Sequence, residues 1–173
     1  MYKYATNVQI SGTVPSGSSV TVVVTGTGHY AYIGGNIDYV NTSDSFANIG
    51  AIPRLNVYVQ NGDIRVLNTV DHIHGFFVAE GSGVFYSCVD NTQTPIPLTG
   101  TNDYNNCNHE LSVYGSASAS KFILHRTYGQ LTAGSPPAER FIYDPELWLA
   151  QPGAATTNNL GGYDAITSLP PVL

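Results

Sequence analysis

The stretch 55–68 reads Leu-Asn-Val-Tyr-Val-Gln-Asn-Gly-Asp-Ile-Arg-Val-Leu-Asn and carries the clearest structural signal in the chain. Asn61-Gly62 separates two runs that are rich in β-branched residues. Asn-Gly in this setting is the strongest short signature of a β-hairpin, because a type I′ turn needs a positive φ at both of its central residues. The sequence therefore predicts two antiparallel strands joined by a two-residue turn.

This turn fixes which side chains share a face of the predicted hairpin. Counting outward from Asn61-Gly62 places four apolar residues on one face: Val57, Val59, Ile64 and Val66. On the other face Tyr58 is opposite Arg65, where the ring and the guanidinium group could form a cation–π contact. Turn chemistry and apolar pattern agree on this register.

Strict alternation recurs along much of the chain and predicts an all-β protein. Val20, Val22 and Val24 alternate with polar or outward residues in the run 19–25. Further strands are expected at 7–11, 29–33, 36–40, 72–78, 84–89, 110–114, 121–127 and 140–143. Short strands separated by Gly, Pro, Asn and Ser are typical of sandwiches. We predict a single β-sandwich or jelly-roll-like domain over residues 1–153.

The C-terminal part departs from this pattern. Asp144 suits a helix N-cap, Pro145 the first helical position and Glu146 the first turn, so one short helix is expected over 144–150. Residues 154–173 are rich in Thr, Asn, Gly and Pro, yet they carry six spaced apolar residues: Leu160, Tyr163, Ile166, Leu169, Val172 and Leu173. We expect an extended arm that lies on a neighbouring subunit or a shell protein.

The low charge of the chain bears on its function. Charged residues make up 10% of the 173 residues, with six Lys and Arg in total and a net charge of -6. Ordinary proteins carry roughly a quarter, and a lightly charged surface is less protected against association. The chain has no basic cluster for nucleic acid and no apolar run of about 18 residues for a membrane span. The 12 tyrosines favour protein contacts.

The start of the chain suggests a setting for such contacts. The residues that follow Met1 show no basic head and apolar stretch of a signal peptide, although the composition is that of a protein exposed outside a cell. Proteins of virus particles meet both conditions. We therefore predict a non-enzymatic virion protein, made in the host cytoplasm and exposed on the particle as a capsid decoration or cement protein. It would form homo-oligomers, with trimers favoured, and bind the major shell or capsid protein.

Asp71-His72-Ile73-His74 is the main candidate for metal chemistry. On a strand His72 and His74 would project to the same face, about 7 Å apart. The segment resembles the first metal motif of cupins, a His-x-His followed by Glu and then Gly, which implies His72, His74 and Glu80 as ligands and His109 as a third histidine. A cupin-like metal-binding β-barrel is therefore an alternative. Alternating histidines on a half-buried strand are more often held by neighbours, so the main prediction has no metal and no cofactor.

Two further expectations concern the remaining reactive and aromatic residues. Cys88 and Cys107 could form a disulfide that closes a polar, turn-rich loop, or they could remain buried thiols. No Gly-x-Ser-x-Gly motif is present, so no catalytic residue is predicted. Exposed tyrosines can also stack on sugars, which makes a carbohydrate- or receptor-binding module of a fibre the second alternative.

Overall fold

The structure is a computed structural model that describes residues 1–40, 49–97, 99, 105–127 and 137–144. Strands account for 59% of it, and a short 3₁₀ turn lies at Ile49–Ala51. The nine strands are β1 Tyr2–Tyr4, β2 Val8–Val14, β3 Ser19–Val24, β4 Ala31–Tyr39, β5 Arg54–Val59, β6 Ile64–Leu67, β7 His72–Val89, β8 Leu111–Ile123 and β9 Glu139–Ile142. The prediction of an all-β chain agrees with this content.

The strands form one parallel sheet, and the predicted sandwich or jelly roll is wrong. The order is β1-β3-β5-β7-β6-β4-β2, with β8 beside β7 and β9 beside β8. Every pairing between these strands is parallel, whereas sandwiches and jelly rolls are built from antiparallel strands. The sheet curls into a nearly closed, barrel-like shape.

The register shows that the chain winds in five stacked coils with three sides. Partner residues in successive coils form one column on each side. The first-side column is Tyr4, Val24, Val59, Ala79 and Ala119. The second-side column is Val8, Ala31, Ile64, Phe85 and Phe122. The third-side column is Gly12, Ile37, Ile73, Val113 and Phe141. This connectivity is that of a parallel β-solenoid, in which each coil packs on its neighbours.

The core lies inside the coils and is made by these columns. The members from the middle coils are buried, with Val24, Ala31, Ile64 and Phe85 all at 0% exposure. Strands that bend at glycines carry the chain from one side to the next. Gly75 and Gly115 are register partners with φ of 141° and 123°, values that L side chains rarely adopt. A bend at this point lets one long strand, β7 or β8, serve more than one side.

Asn61-Gly62 turns a corner between two sides and does not make a hairpin. β5 lies between β3 and β7, while β6 lies between β4 and β7. Only Asn61 has a positive φ, 55°, so the turn is not type I′. Gly62 is needed for a different reason: a Cβ there would lie 1.7 Å from the carbonyl oxygen of His29 in the preceding coil.

The hairpin itself is wrong, but the prediction of which apolar residues share a buried face is confirmed. The four residues predicted to share a face, Val57, Val59, Ile64 and Val66, are all 0% exposed in one core. The predicted contact between Tyr58 and Arg65 is replaced by contacts between coils. The Arg65 guanidinium carbon lies 4.0 Å from the centre of the Tyr30 ring and 5.9 Å from that of Tyr86. Side-chain alternation is therefore correct, but the strand partners are not.

The predicted C-terminal elements fall largely outside the described residues. Asp144 is described, but the rest of the predicted helix 144–150 and the whole predicted arm 154–173 are not. The division into a domain 1–153 and an arm 154–173 therefore stays a prediction.

Candidate functional site

A polar cleft lies on the third side of the solenoid, where the start of β7, the start of β8 and β9 run side by side. His72, Ser112 and Arg140 are register partners in three successive coils. The cleft has a volume of about 330 Å³, and its lining residues are Asp71, His72, His109, Glu110, Ser112, Tyr114 and Arg140. The cleft therefore brings together acidic and basic side chains, which supply both hydrogen-bond donors and acceptors.

The charged groups on one side of the cleft are bound to one another. The Arg140 guanidinium forms an ion pair with the Glu110 carboxylate and donates a hydrogen bond to Ser112 Oγ over 3.0 Å. Ser112 Oγ in turn donates to Glu110 Oε1 over 3.3 Å. The Glu110 carboxylate accepts from both Arg140 and Ser112, and these two contacts fix its position.

Two histidines on the other side each face an aspartate. His72 Nε2 lies 2.6 Å from Asp38 Oδ1, which belongs to the preceding coil. His109 Nδ1 lies 3.8 Å from Asp71 Oδ1, and both of these side chains are at least half exposed. The first contact has the geometry of a short hydrogen bond, whereas the second is a solvated pair that contributes little.

His74 lies beside the cleft in an aromatic stack. Its ring is parallel to that of Tyr114, with centroids 4.5 Å apart, and tilted against Tyr39 at 5.1 Å. Burial lowers the pKa of His74 below its ordinary value, and the neighbouring His72 lowers it further. The buried Nδ1 atom has no hydrogen-bond partner within the described part of the chain. His74 is therefore a neutral, packed ring at neutral pH.

The residues proposed as metal ligands are brought together only in part. His72 and His74 do share a side, with ring centres 6.1 Å apart. His109 lines the same cleft as His72. Glu80 is exposed and lies beyond the bend of β7 at Gly75. Within the described ranges, no group of three or more His, Cys, Asp or Glu side chains could hold a metal ion. His72, His74, Glu80 and His109 are therefore not brought together as the ligand set of a cupin-like site would require.

Cys88 and Cys107 are joined by a disulfide, with Cα atoms 6.0 Å apart. With Ile96 they form a small second core at the end of β7. Cys107 is also tied to the segment that follows β8, since Thr127 N donates to Cys107 O over 3.0 Å. The disulfide thus fastens the long excursion between β7 and β8 to the body of the solenoid.

Arg126 is an internal cation that the sequence analysis missed. It is 6% exposed, and its guanidinium donates to the carbonyl oxygens of Leu67, Asn68 and Ser87. Its backbone nitrogen donates to Glu139 Oε1 over 2.9 Å. Burial lowers the pKa of Arg126 to about 10, and the nearby Glu139 partly opposes this. Arg126 follows the part of β8 in the fifth coil, and its side chain is hydrogen-bonded to the backbone of both the third and the fourth coils.

Both ends of the solenoid expose side chains that belong to the inner columns. At the first coil Tyr2 is 57% and Tyr4 38% exposed, although their register partners Val22 and Val24 are buried. We call Tyr2, Tyr4, Val8 and Ile10 the first-coil surface. At the other end an apolar hollow of about 420 Å³ forms the last-coil surface, lined by Gly115, Ser116, Ala117, Phe122, Leu124, Phe141 and Tyr143.

The environment of His74 predicts a pH dependence of stability. Its pKa in the folded state lies below the ordinary 6.5, so the unfolded chain binds the proton more readily. The free energy of unfolding should therefore fall as the pH drops through 6.5, and His74→Phe should weaken this fall while keeping a ring in the stack. Urea unfolding of both proteins over a pH series measures it. Equal slopes would show that His74 does not contribute.

The comparisons with known proteins give no relative. No family model, no curated protein and no solved structure matches the chain. Among the described residues, no helix combines the length and apolar character needed to cross a bilayer.

Proposed function

We propose that the protein is a non-enzymatic structural subunit that forms homo-oligomers through its first-coil surface. The observation that carries this proposal is the exposure of inner-column residues at that end. Tyr2 and Tyr4 stand in line with the buried valines of β3, yet they have no coil beyond them in the described residues. They present apolar area where a further layer of sheet would normally lie.

The backbone of the first coil supports the same proposal. In the part of the chain that the structure describes, β1 pairs with β3 and β2 with β4, and neither has a partner on its outer side. Unpaired N–H and C=O groups at a sheet edge are a template for another strand, and proteins usually protect such edges with charge or proline. Lys3 is the only charged residue among residues 1–17, and neither β1 nor β2 contains a proline. The edge strands of the first coil therefore have little protection against pairing with a strand of another chain.

A second copy of the chain is the partner that fits this edge. Two first-coil surfaces related by a two-fold axis would bring the same residues together from both sides, which closes the assembly. Pairing of the first coil with the last coil of another copy would instead continue without limit. We therefore propose a closed, isologous contact through the first coil.

The polar cleft supports a structural role more than a catalytic one. Its charged groups are taken up by contacts with one another, as in the pairs Arg140–Glu110 and His72–Asp38. His74 is neutral and stacked on Tyr114. The virus-particle setting and the shell partner stay predictions from the sequence, and a carbohydrate- or receptor-binding module of a fibre stays an alternative. The trimer that the sequence analysis favoured also stays a prediction, and it differs from the two-fold contact proposed here, which closes as a dimer.

Replacing Tyr4 with aspartate should break the proposed contact. A buried charge without a partner costs at least about 2 kcal/mol, so the dissociation constant should rise by roughly 30-fold or more. Sedimentation velocity over a concentration series measures this change. The matched control is Tyr58→Asp, because Tyr58 faces outward between the buried Val57 and Val59 of a middle coil. A concentration-independent wild-type monomer, or an equal effect of both variants, would contradict the proposal.

A further inference from the structure

We propose that residues 145–173 cover the last-coil surface of their own chain. This inference does not depend on the proposed oligomer, which uses the opposite end of the solenoid. It assigns an intramolecular partner to an apolar hollow that the described residues leave open.

The inner columns end abruptly at the hollow. Phe85 is 0% exposed, with the Phe122 ring centre 5.6 Å away and that of Phe141 6.1 Å away. Phe122 and Phe141 are themselves 39% and 44% exposed, although their rings lie only 5.9 Å apart. The column positions of Phe85 and Val113, which are buried in the fourth coil, are thus occupied by exposed rings in the fifth. A sixth layer would complete the packing.

The sheet is also open at this end. β9 pairs with β8, and among the described residues it has no strand on its other side. The parts of β8 that lie on β7, 116–119 and 121–123, likewise have no strand beyond them in the described part of the chain. Solenoids need a terminal cap, because the last repeat otherwise exposes both apolar side chains and backbone groups.

The path of the chain places its own C-terminal segment nearest to the hollow. β9 ends at Ile142, and the next residue, Tyr143, lines the hollow. Asp144 is the last described residue, and 29 residues of the sequence follow it. The third coil, residues 54–75, uses 22 residues from one first-side strand to the next bend. The segment is therefore long enough for one further turn.

The composition of the segment fits an apolar acceptor. Leu147, Trp148 and Leu149 come within five residues of Asp144, and only Glu146 and Asp164 are charged in the whole of 145–173. A tethered segment also has an effective concentration in the millimolar range for a short link, which a second copy in dilute solution cannot match. The sequence-based expectation of an arm on a neighbouring subunit is the competing possibility.

Trp148 gives a direct test, because it is the only tryptophan in the chain. In the full-length protein its emission should be blue-shifted relative to the protein in denaturant and shielded from acrylamide. Both properties should be independent of protein concentration. Phe141→Asp and, separately, Leu124→Asp should shift the emission toward that of the denatured chain, while Tyr2→Asp at the opposite end should not.

Several results would overturn the inference. An emission that matches the denatured chain means that the segment is not buried. A blue shift that appears only as oligomers form means that the segment binds another copy. If neither variant that keeps its circular dichroism moves the emission, the segment is buried elsewhere. Where both variants unfold, wild-type amide exchange decides: covered β9 amides exchange slowly, and rapid exchange at Glu139–Ile142 contradicts a cap.

Discussion

Arg126→Ala should lower the free energy of unfolding by about 3 to 5 kcal/mol. The substitution removes the donors to three carbonyl oxygens, those of Leu67, Asn68 and Ser87, at a position that is only 6% exposed. A buried carbonyl oxygen that has no hydrogen-bond donor lowers the stability of the fold by the full free energy of its dehydration. The effect is large because the side chain holds together strands that belong to different coils.

The measurement is denaturant unfolding followed by circular dichroism, with Lys121→Ala as the control. Lys121 is an exposed cation in β8, five residues before Arg126, so its removal should change stability by less than about 0.5 kcal/mol. Arg126→Lys should be nearly as harmful as Arg126→Ala, because one ammonium group cannot reproduce the planar set of donors. Equal stability of Arg126→Ala and Lys121→Ala would show that the internal cation is not a structural tie.

Gly62→Ala should cost about 3 kcal/mol, at the upper end of overpacking effects. The added Cβ would lie 1.7 Å from the His29 carbonyl oxygen, so the corner between two coils would have to move. In a free two-residue hairpin turn, a left-handed alanine would cost roughly 1 to 2 kcal/mol and would clash with no second coil. The size of the effect thus distinguishes the stacked corner from the hairpin.

Gly35→Ala is the control for this substitution. Its nearest neighbour would be the Ser11 Cβ at 3.2 Å, a side-chain atom at a distance that a small adjustment relieves. Thermal unfolding of the two variants beside the wild type gives the comparison. A Gly62→Ala protein as stable as Gly35→Ala would contradict the stacked coils at this corner.

The strands could be predicted from the sequence, but their partners could not. Alternation is a local property, and it placed Val57 and Val59 correctly in the core. Pairing depends on residues in other coils, and those lie at irregular distances. The column Tyr4, Val24, Val59, Ala79 and Ala119 has steps of 20, 35, 20 and 40 residues, so no repeat is visible in the sequence.

The same limit applies to the candidate site. Strand alternation was enough to place His72 and His74 on one side. Their contacts come from neighbouring coils, with Asp38 against His72 and Tyr114 against His74. Arg126 stands between His125 and Thr127 near the end of the predicted strand 121–127, and nothing there marks a cation as buried. Its partners are backbone carbonyls, which leave no trace in the pattern of side chains.

The most direct test of the proposed assembly is amide hydrogen exchange of the first coil at several protein concentrations. If two copies pair through this edge, amides in Tyr2–Tyr4 and Val8–Val14 should exchange more slowly as the oligomer fills, whereas those of β5 should not change. Exchange in the first coil that is equally fast at all concentrations, including those at which the protein is oligomeric, would contradict the first-coil surface as the interface.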